Sequence, residues 1–308
     1  MRIKYVDGYV HLQKQELVPI ESSQIFCDPP DTEIGSWVGS DLISESLPSS
    51  VIIDLGSGSG ATIAALIRKG AKFGIGVDIS QDSIVSSRNL YSDNQYLNKT
   101  RFEIFDILLN GPEKIEDFIE PYKVTTVISN PAYVPLKIDN KIPSLDGGED
   151  GLKFLPAIIK YAQHFKADLG ITLGSYSSLH KAFKMIRLSG FQIITLTLTT
   201  LPFSDLTIQN FEQIKDLSDN KEALLWHNGK SNPTGYIIVG IAAKNIQKNF
   251  ITENKLPSED SYFNLIKVAS SSLTNKLEKL TTIDEKNLPE ELLIRVLNLP
   301  IPNKRLHW

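Results

Sequence analysis

The stretch Val51-Ile52-Ile53-Asp54-Leu55-Gly56-Ser57-Gly58-Ser59-Gly60 runs directly into Ala61-Thr62-Ile63-Ala64-Ala65-Leu66. The β-branched run predicts a buried strand, and the glycines a tight turn that lets backbone approach a ligand without a Cβ in the way. Residues 61–69 predict the helix that crosses back over the sheet. Strand, glycine turn and helix form one unit of a doubly wound α/β sheet, which binds ligands beyond the carboxyl ends of its strands where the strand order switches.

The same alternation continues outward. Further β-branched runs lie at 74–79, 101–105, 124–129, 168–173, 191–198 and 236–242, giving an expectation of seven strands. Helical spacing marks 81–92, 113–121, 152–165 and 177–189 between them. This order implies a mostly parallel sheet covered on both faces. The last two strands lack a comparable helix between them. Residues 1–48 predict a short hairpin around Asp7-Gly8 and a helix over 33–47 that Pro48 stops. The sheet domain is expected over 49–243, with an insertion at 201–233. Residues 244–308 predict a helical extension, whose apolar stripe Ile266, Ala269, Leu273, Leu277 and Leu280 either docks on the core or forms a dimer face, with a second helix near Pro289. Trp226 and His227 read either as an anchor for the insertion or as substrate contacts.

Bulk composition excludes several classes. The 308 residues are 41% hydrophobic and carry a formal charge of −4, which argues against a nonspecific polyanion binder. A single cysteine, Cys27, excludes an intrachain disulfide and a thiolate zinc cluster, and no metal is expected. No apolar run reaches the length of about 18 residues needed to span a bilayer, and the N-terminus lacks a secretory core. A cytoplasmic location is the default expectation.

The glycine loop separates candidate cofactors. Asp54 stands before the first glycine, where the pyrophosphate of a dinucleotide would be repelled and the cationic amino group of S-adenosylmethionine would be stabilised. The next strand ends in Asp78-Ile79, where a carboxylate can accept hydrogen bonds from ribose hydroxyls. Asp106-Ile107, after the third strand, is a candidate adenine contact, with a solvated strand-end acid as the other reading. The expected cofactor residues are Asp54, Gly56, Ser57, Gly58, Gly60, Asp78, Ile79, Asp106, Ile107 and Asn130. The fourth strand runs into Ser129-Asn130-Pro131-Ala132-Tyr133. There the Asn130 amide oxygen and the residue-132 carbonyl can accept two N–H bonds from a planar nitrogen and hold it in line with a methyl donor.

Asn130–Tyr133 resembles the Asn-Pro-Pro-Tyr hallmark of HemK/PrmC-type protein-(glutamine-N5) methyltransferases, which have the class I methyltransferase fold. Asp28-Pro29-Pro30-Asp31-Thr32-Glu33 is similar to that family's Pro-Arg-Pro-Glu-Thr-Glu segment. Gly147-Gly148-Glu149-Asp150-Gly151-Leu152 is similar to its Gly-Gly-x-Asp-Gly-Leu. The resemblance implies S-adenosylmethionine as cofactor, Asn130, Pro131, Ala132 and Tyr133 as catalytic loop, an antiparallel edge to the sheet, and a glutamine side chain in a protein such as a release factor as acceptor. Ala132 departs from the second proline, the family's N-terminal helical domain is reduced to a short segment, and the insertion and tail have no counterpart. A small-molecule acceptor therefore stays open beside the protein, as does a nucleobase that would stack on Tyr133, which the charge makes the weakest of the three. Oligomeric state is not readable.

Overall fold

The computed structural model describes residues 2–17, 25, 28–136, 145–227, 230, 232–246, 258–272 and 292–300. Cys27 and positions 273, 277, 280 and 289 lie outside the described residues. In chain order the strands are β1 (Arg2–Asp7), β2 (Val51–Leu55), β3 (Phe73–Asp78), β4 (Thr100–Ile104), β5 (Thr126–Ser129), β6 (Asp168–Gly174), β7 (Phe191–Pro202), β8 (Gly235–Asn245) and β9 (Leu293–Asn298). The helices are α1 (Pro29–Ile43), α2 (Ala61–Lys69), α3 (Gln81–Leu90), α4 (Glu113–Ile119), α5 (Leu155–His164), α6 (Leu179–Leu188), α7 (Asp205–Gln209), α8 (Phe211–Asp219) and α9 (Glu259–Ser272).

One sheet holds all nine of these strands, in the order β1-β9-β7-β8-β6-β5-β2-β3-β4. Only β8 runs antiparallel to its neighbours, β6 and β7, as the class I resemblance implies. The order reverses at β2, which pairs with β3 on one side and β5 on the other, so the ligand crevice opens beyond Leu55 and Ser129. Every residue of β2 and β5 is buried, which explains their continuous apolar runs. Across β6 and β8 lies α1, whose Ile34, Leu42 and Ile43 are fully buried, each stabilising the fold by about 1.5–3 kcal/mol.

Two expectations for the ends of the chain are corrected. Asp7-Gly8 does not turn a hairpin: β1 pairs in parallel with β9, so the two ends of the chain extend the sheet to nine strands instead of seven. Where a second tail helix was expected near Pro289, Leu293–Asn298 forms β9, a six-residue strand whose Ile294, Arg295, Val296 and Leu297 are all buried, so both of its faces are covered. A pairing of residues almost 300 positions apart leaves no local signal. In α1 the start moves forward to Pro29, because proline at the first helical positions loses no hydrogen bond. The described part of the tail stripe docks on the core: Tyr262, Leu265 and Ile266 are buried, and Arg187 of α6 donates to Glu259 at 2.9 Å.

Candidate active site

Gly56, Gly58 and Gly60 all have positive φ, at +79°, +52° and +77°, a region L side chains rarely adopt. The turn they make is held mostly by its own neighbourhood. The amides of Gly56 and Ser57 donate to the Val77 carbonyl at 2.8 and 2.9 Å, and Gly58 donates to Asp78 Oδ2 at 2.9 Å. Asp78 Oδ1 accepts from Ser80, which in turn caps α3. Asp78 thus fastens the glycine turn to the end of β3 and keeps lone pairs over for a ribose.

Between this turn, the end of β5, β6 and α1 lies a cavity. Its lining includes Thr32, Asp54, Gly56, Ser57, Gly58, Asn130 and Thr172. Three of its polar atoms, Ser57 Oγ, Thr172 Oγ1 and Asn130 Oδ1, are shielded from solvent and make no hydrogen bond among the described residues. Buried polar groups without partners cost free energy, so three of them around one cavity mark it as a place for a polar ligand. Burial, and then the charge of Asp78, push the Asp54 carboxyl up to about 7. Burial also raises Asp78, against the backbone N–H groups that favour its charge. A cationic amino group would relieve the strain on Asp54, an anion would add to it. These donors and acceptors fit S-adenosylmethionine.

Across the cavity from the turn, Ser129 donates to the Leu55 carbonyl at 2.5 Å and joins the ends of β5 and β2. Asn130, Pro131 and Ala132 then follow, partly exposed, while Tyr133 is 3% exposed. The Tyr133 hydroxyl donates to the buried carboxylate of Asp31 on α1, and its carbonyl accepts from Ser177 Oγ at 2.8 Å. Val134 donates to Leu145 O and Gly147 donates to Val134 O, so the glycine-rich segment lies directly on the loop. All three segments that carried the family resemblance therefore meet. In the first of them Glu33 accepts N–H bonds from Val10, His11 and Leu12 at 3.0–3.1 Å. Burial alone would raise this carboxyl, but the contact with His11 and these backbone N–H groups hold it below its ordinary value.

Of the residues expected from sequence, Asp54, Gly56, Ser57, Gly58 and Asn130 line the cavity, and Gly60 closes the turn. Asp78, Ile79, Asp106 and Ile107 lie outside its lining, at the ends of the adjacent β3 and β4. Ile79 is exposed, Ile107 packs against the core, and Asp106 accepts from the amides of Leu108 and Leu109 in its own turn. Thr62 and Thr172 in the cavity wall, and Ser177 beside Tyr133, were not singled out from sequence, and Asp31 and Thr32 were named only within the 28–33 segment, without a role. A threonine in a strand or at a helix start reads like any other. In the insertion, Trp226 pairs by backbone with Gly235 and packs on the core, the anchoring reading, while His227 is exposed.

No protein-family model matches the chain. A protein of Methanocaldococcus jannaschii, provisionally named protein N5-glutamine methyltransferase, is 27% identical over 169 residues, or 52% of this chain and 79% of that protein. The release factor glutamine methyltransferase of Agrobacterium fabrum is 31% identical over 162 residues, covering 46% of this chain and only 50% of its own length. A solved structure from Pyrococcus horikoshii, provisionally described as an RNA methyltransferase, has a TM-score of 0.44 at 14% identity, covering 77% of this chain and 92% of that one. The fold assignment rests on the strand order and not on that likeness. With the two curated relatives, it makes the chain an S-adenosylmethionine-dependent methyltransferase of the class I fold, similar to the HemK/PrmC-type protein-(glutamine-N5) methyltransferases.

Proposed function

We propose that the chain methylates a planar amide nitrogen, and that its acceptor is a glutamine side chain in a protein such as a translation release factor. The observation that carries this reading is the Asn130 amide oxygen, buried at the end of β5 in the cavity wall without a donor among the described residues. An acceptor left unmatched there is matched when an N–H is brought to it. When bound, S-adenosylmethionine supplies a methyl group on a positively charged sulfur. The protein's part is alignment. Asn130 takes one N–H of the acceptor, and the Ala132 carbonyl takes the other. With both N–H groups held, the amide nitrogen would be presented to the methyl group that the cofactor supplies, and the proton the nitrogen loses would leave to solvent. Asp54 stays with the cofactor's amino group. Tyr133 is buried and its hydroxyl is committed to Asp31, which counts against a flipped base stacked on its ring.

The test is Asn130→Ala, assayed with a glutamine-bearing release-factor domain at saturation. Turnover should fall about a hundredfold, roughly 3 kcal/mol of lost positioning, while cofactor affinity by calorimetry stays within about twofold. Near-normal turnover would remove this loop from the chemistry.

A further inference from the structure

Resting on the proposed amide transfer, we infer that the excursion between β7 and β8, of which Phe203–His227 make the contacts described below, is the element that sets the acceptor loop. Because β7 runs parallel to β6 by way of β8, this excursion leaves the sheet at the same edge as the turn after β2 and the loop after β5. It is a firm piece: Ile214 and Ala223 are buried, Phe203 and Phe211 pack edge to face at 5.5 Å, and Trp226 is tied to Gly235.

Its polar contacts go to the two segments that hold Tyr133. Gln213 of α8 donates to the Glu149 carbonyl at 2.6 Å, inside the segment whose Gly147 pairs with Val134. Glu222 accepts from Ser178 Oγ at 2.6 Å, next to the Ser177 that holds the Tyr133 carbonyl. Leu224 exchanges two hydrogen bonds with Ser175, its amide to the Ser175 carbonyl at 2.7 Å and its carbonyl from Ser175 Oγ at 2.6 Å. None of these contacts touches the glycine turn or Asp78. Gln213 and Glu222 are therefore positioning residues for the acceptor half of the site alone.

The register makes a clean experiment available. Leu201 faces Tyr236 and Pro202 faces Gly235, so the excursion leaves and re-enters at directly paired residues and can be replaced by an Asn-Gly hairpin turn. The hairpin variant, Gln213→Ala and Glu222→Gln are compared with the parent in three measurements. S-adenosylmethionine affinity by calorimetry should be unchanged within about twofold. Hydrogen exchange at 130–136 and 145–151 should quicken by about tenfold or more in each variant, while the amides of β2 and β5 keep their protection. Transfer to the release-factor domain should lose kcat/KM by about tenfold in the point variants, with the loss in acceptor KM and kcat and not in cofactor KM. Unchanged exchange in the acceptor loop overturns the inference even if the parent transfers methyl to no tested amide, and that failure of the parent bears only on the proposed function. Should the hairpin variant not fold, the two point variants decide alone.

Discussion

The two halves of the proposed site, for cofactor and for acceptor, are built in opposite ways. The cofactor half is local: the turn after β2 is held by Val77 and Asp78, the next strand in the chain, and its shape is written in three glycines within five residues. The acceptor half is assembled from afar. Tyr133 is held by Asp31, about a hundred residues before it, by Ser177, 44 residues after it, and by the 145–151 segment, which the excursion supports in turn. A methyltransferase can thus keep one half while the other is rebuilt, and damage to either half should show in a different measurement.

The largest expected effect breaks the acceptor half. A Cβ at Gly147 would stand 2.7 Å from the backbone of Tyr133 and 2.9 Å from Gly151 Cα, so Gly147→Ala forces the loop to move. A displacement of about 1 Å at a positioning group costs on the order of a hundredfold. Methyl transfer by Gly147→Ala should fall by that factor while calorimetry finds unaltered cofactor affinity. An equal loss in cofactor binding would mean that the halves are coupled.

The next effect breaks the cofactor half. Asp78→Ala removes two backbone hydrogen bonds that hold the turn, together with the proposed ribose acceptor. Hydrogen bonds to a charged group contribute about 1.5–3 kcal/mol, so affinity for S-adenosylmethionine should weaken about 10- to 150-fold. Asp78→Asn, which retains an acceptor oxygen, should recover part of it. Hydrogen exchange in the acceptor loop should be indifferent to both.

Asp54 gives a smaller, pH-dependent effect. Its carboxyl titrates near 7 in the folded protein, above the ordinary value of 3.8. The folded state therefore holds this proton after the unfolded chain has lost it, and the free protein loses stability as pH rises from about 4 to about 7. Cofactor binding runs the other way. If the ionised carboxylate takes the amino group, affinity falls by up to about tenfold per unit as pH drops below 7. Asp54→Asn should flatten both dependences, raising the melting temperature of the free protein at pH 8 while weakening the cofactor. A parent whose affinity is constant from pH 5.5 to 8 would contradict the charge assignment.

The same contrast explains what the sequence revealed. Strands β2 to β8 and helices α2 to α6 follow from short-range periodicity, and their ends were off by only a few residues. That the glycine turn, Asp54 and Asn130 would line one cavity was legible because they sit at predictable strand ends. Hidden were the pairing of β1 with β9 and of β9 with β7, the contact that Asp31 makes from within the 28–33 segment, and Ser177, all of which depend on residues distant in sequence. Asp78 was read from sequence as a candidate ribose contact and not as the group that ties down Gly58, because a strand-end carboxylate suits both roles.

The smallest effect is expected at Ala132, and it tests whether the acceptor loop keeps the shape that its resemblance implies. Proline there would remove an N–H that makes no hydrogen bond among the described residues, so no bond is lost. Ala132 lies outside helix and strand; a proline there would fix its own φ near −65° and steer Pro131 away from helical backbone, as Pro131 already does to Asn130. Ala132→Pro should therefore be accepted, with stability higher by about 0.5 kcal/mol through the restricted unfolded chain. The residue-132 carbonyl, the group proposed to face the acceptor, is present in both variants. Activity should thus stay within about fivefold of the parent. If transfer is abolished while the variant stays folded and binds cofactor, the backbone at 132 has a conformation closed to proline, and the carbonyl would lose its place in the proposed alignment, leaving Asn130 as the loop's contribution to it.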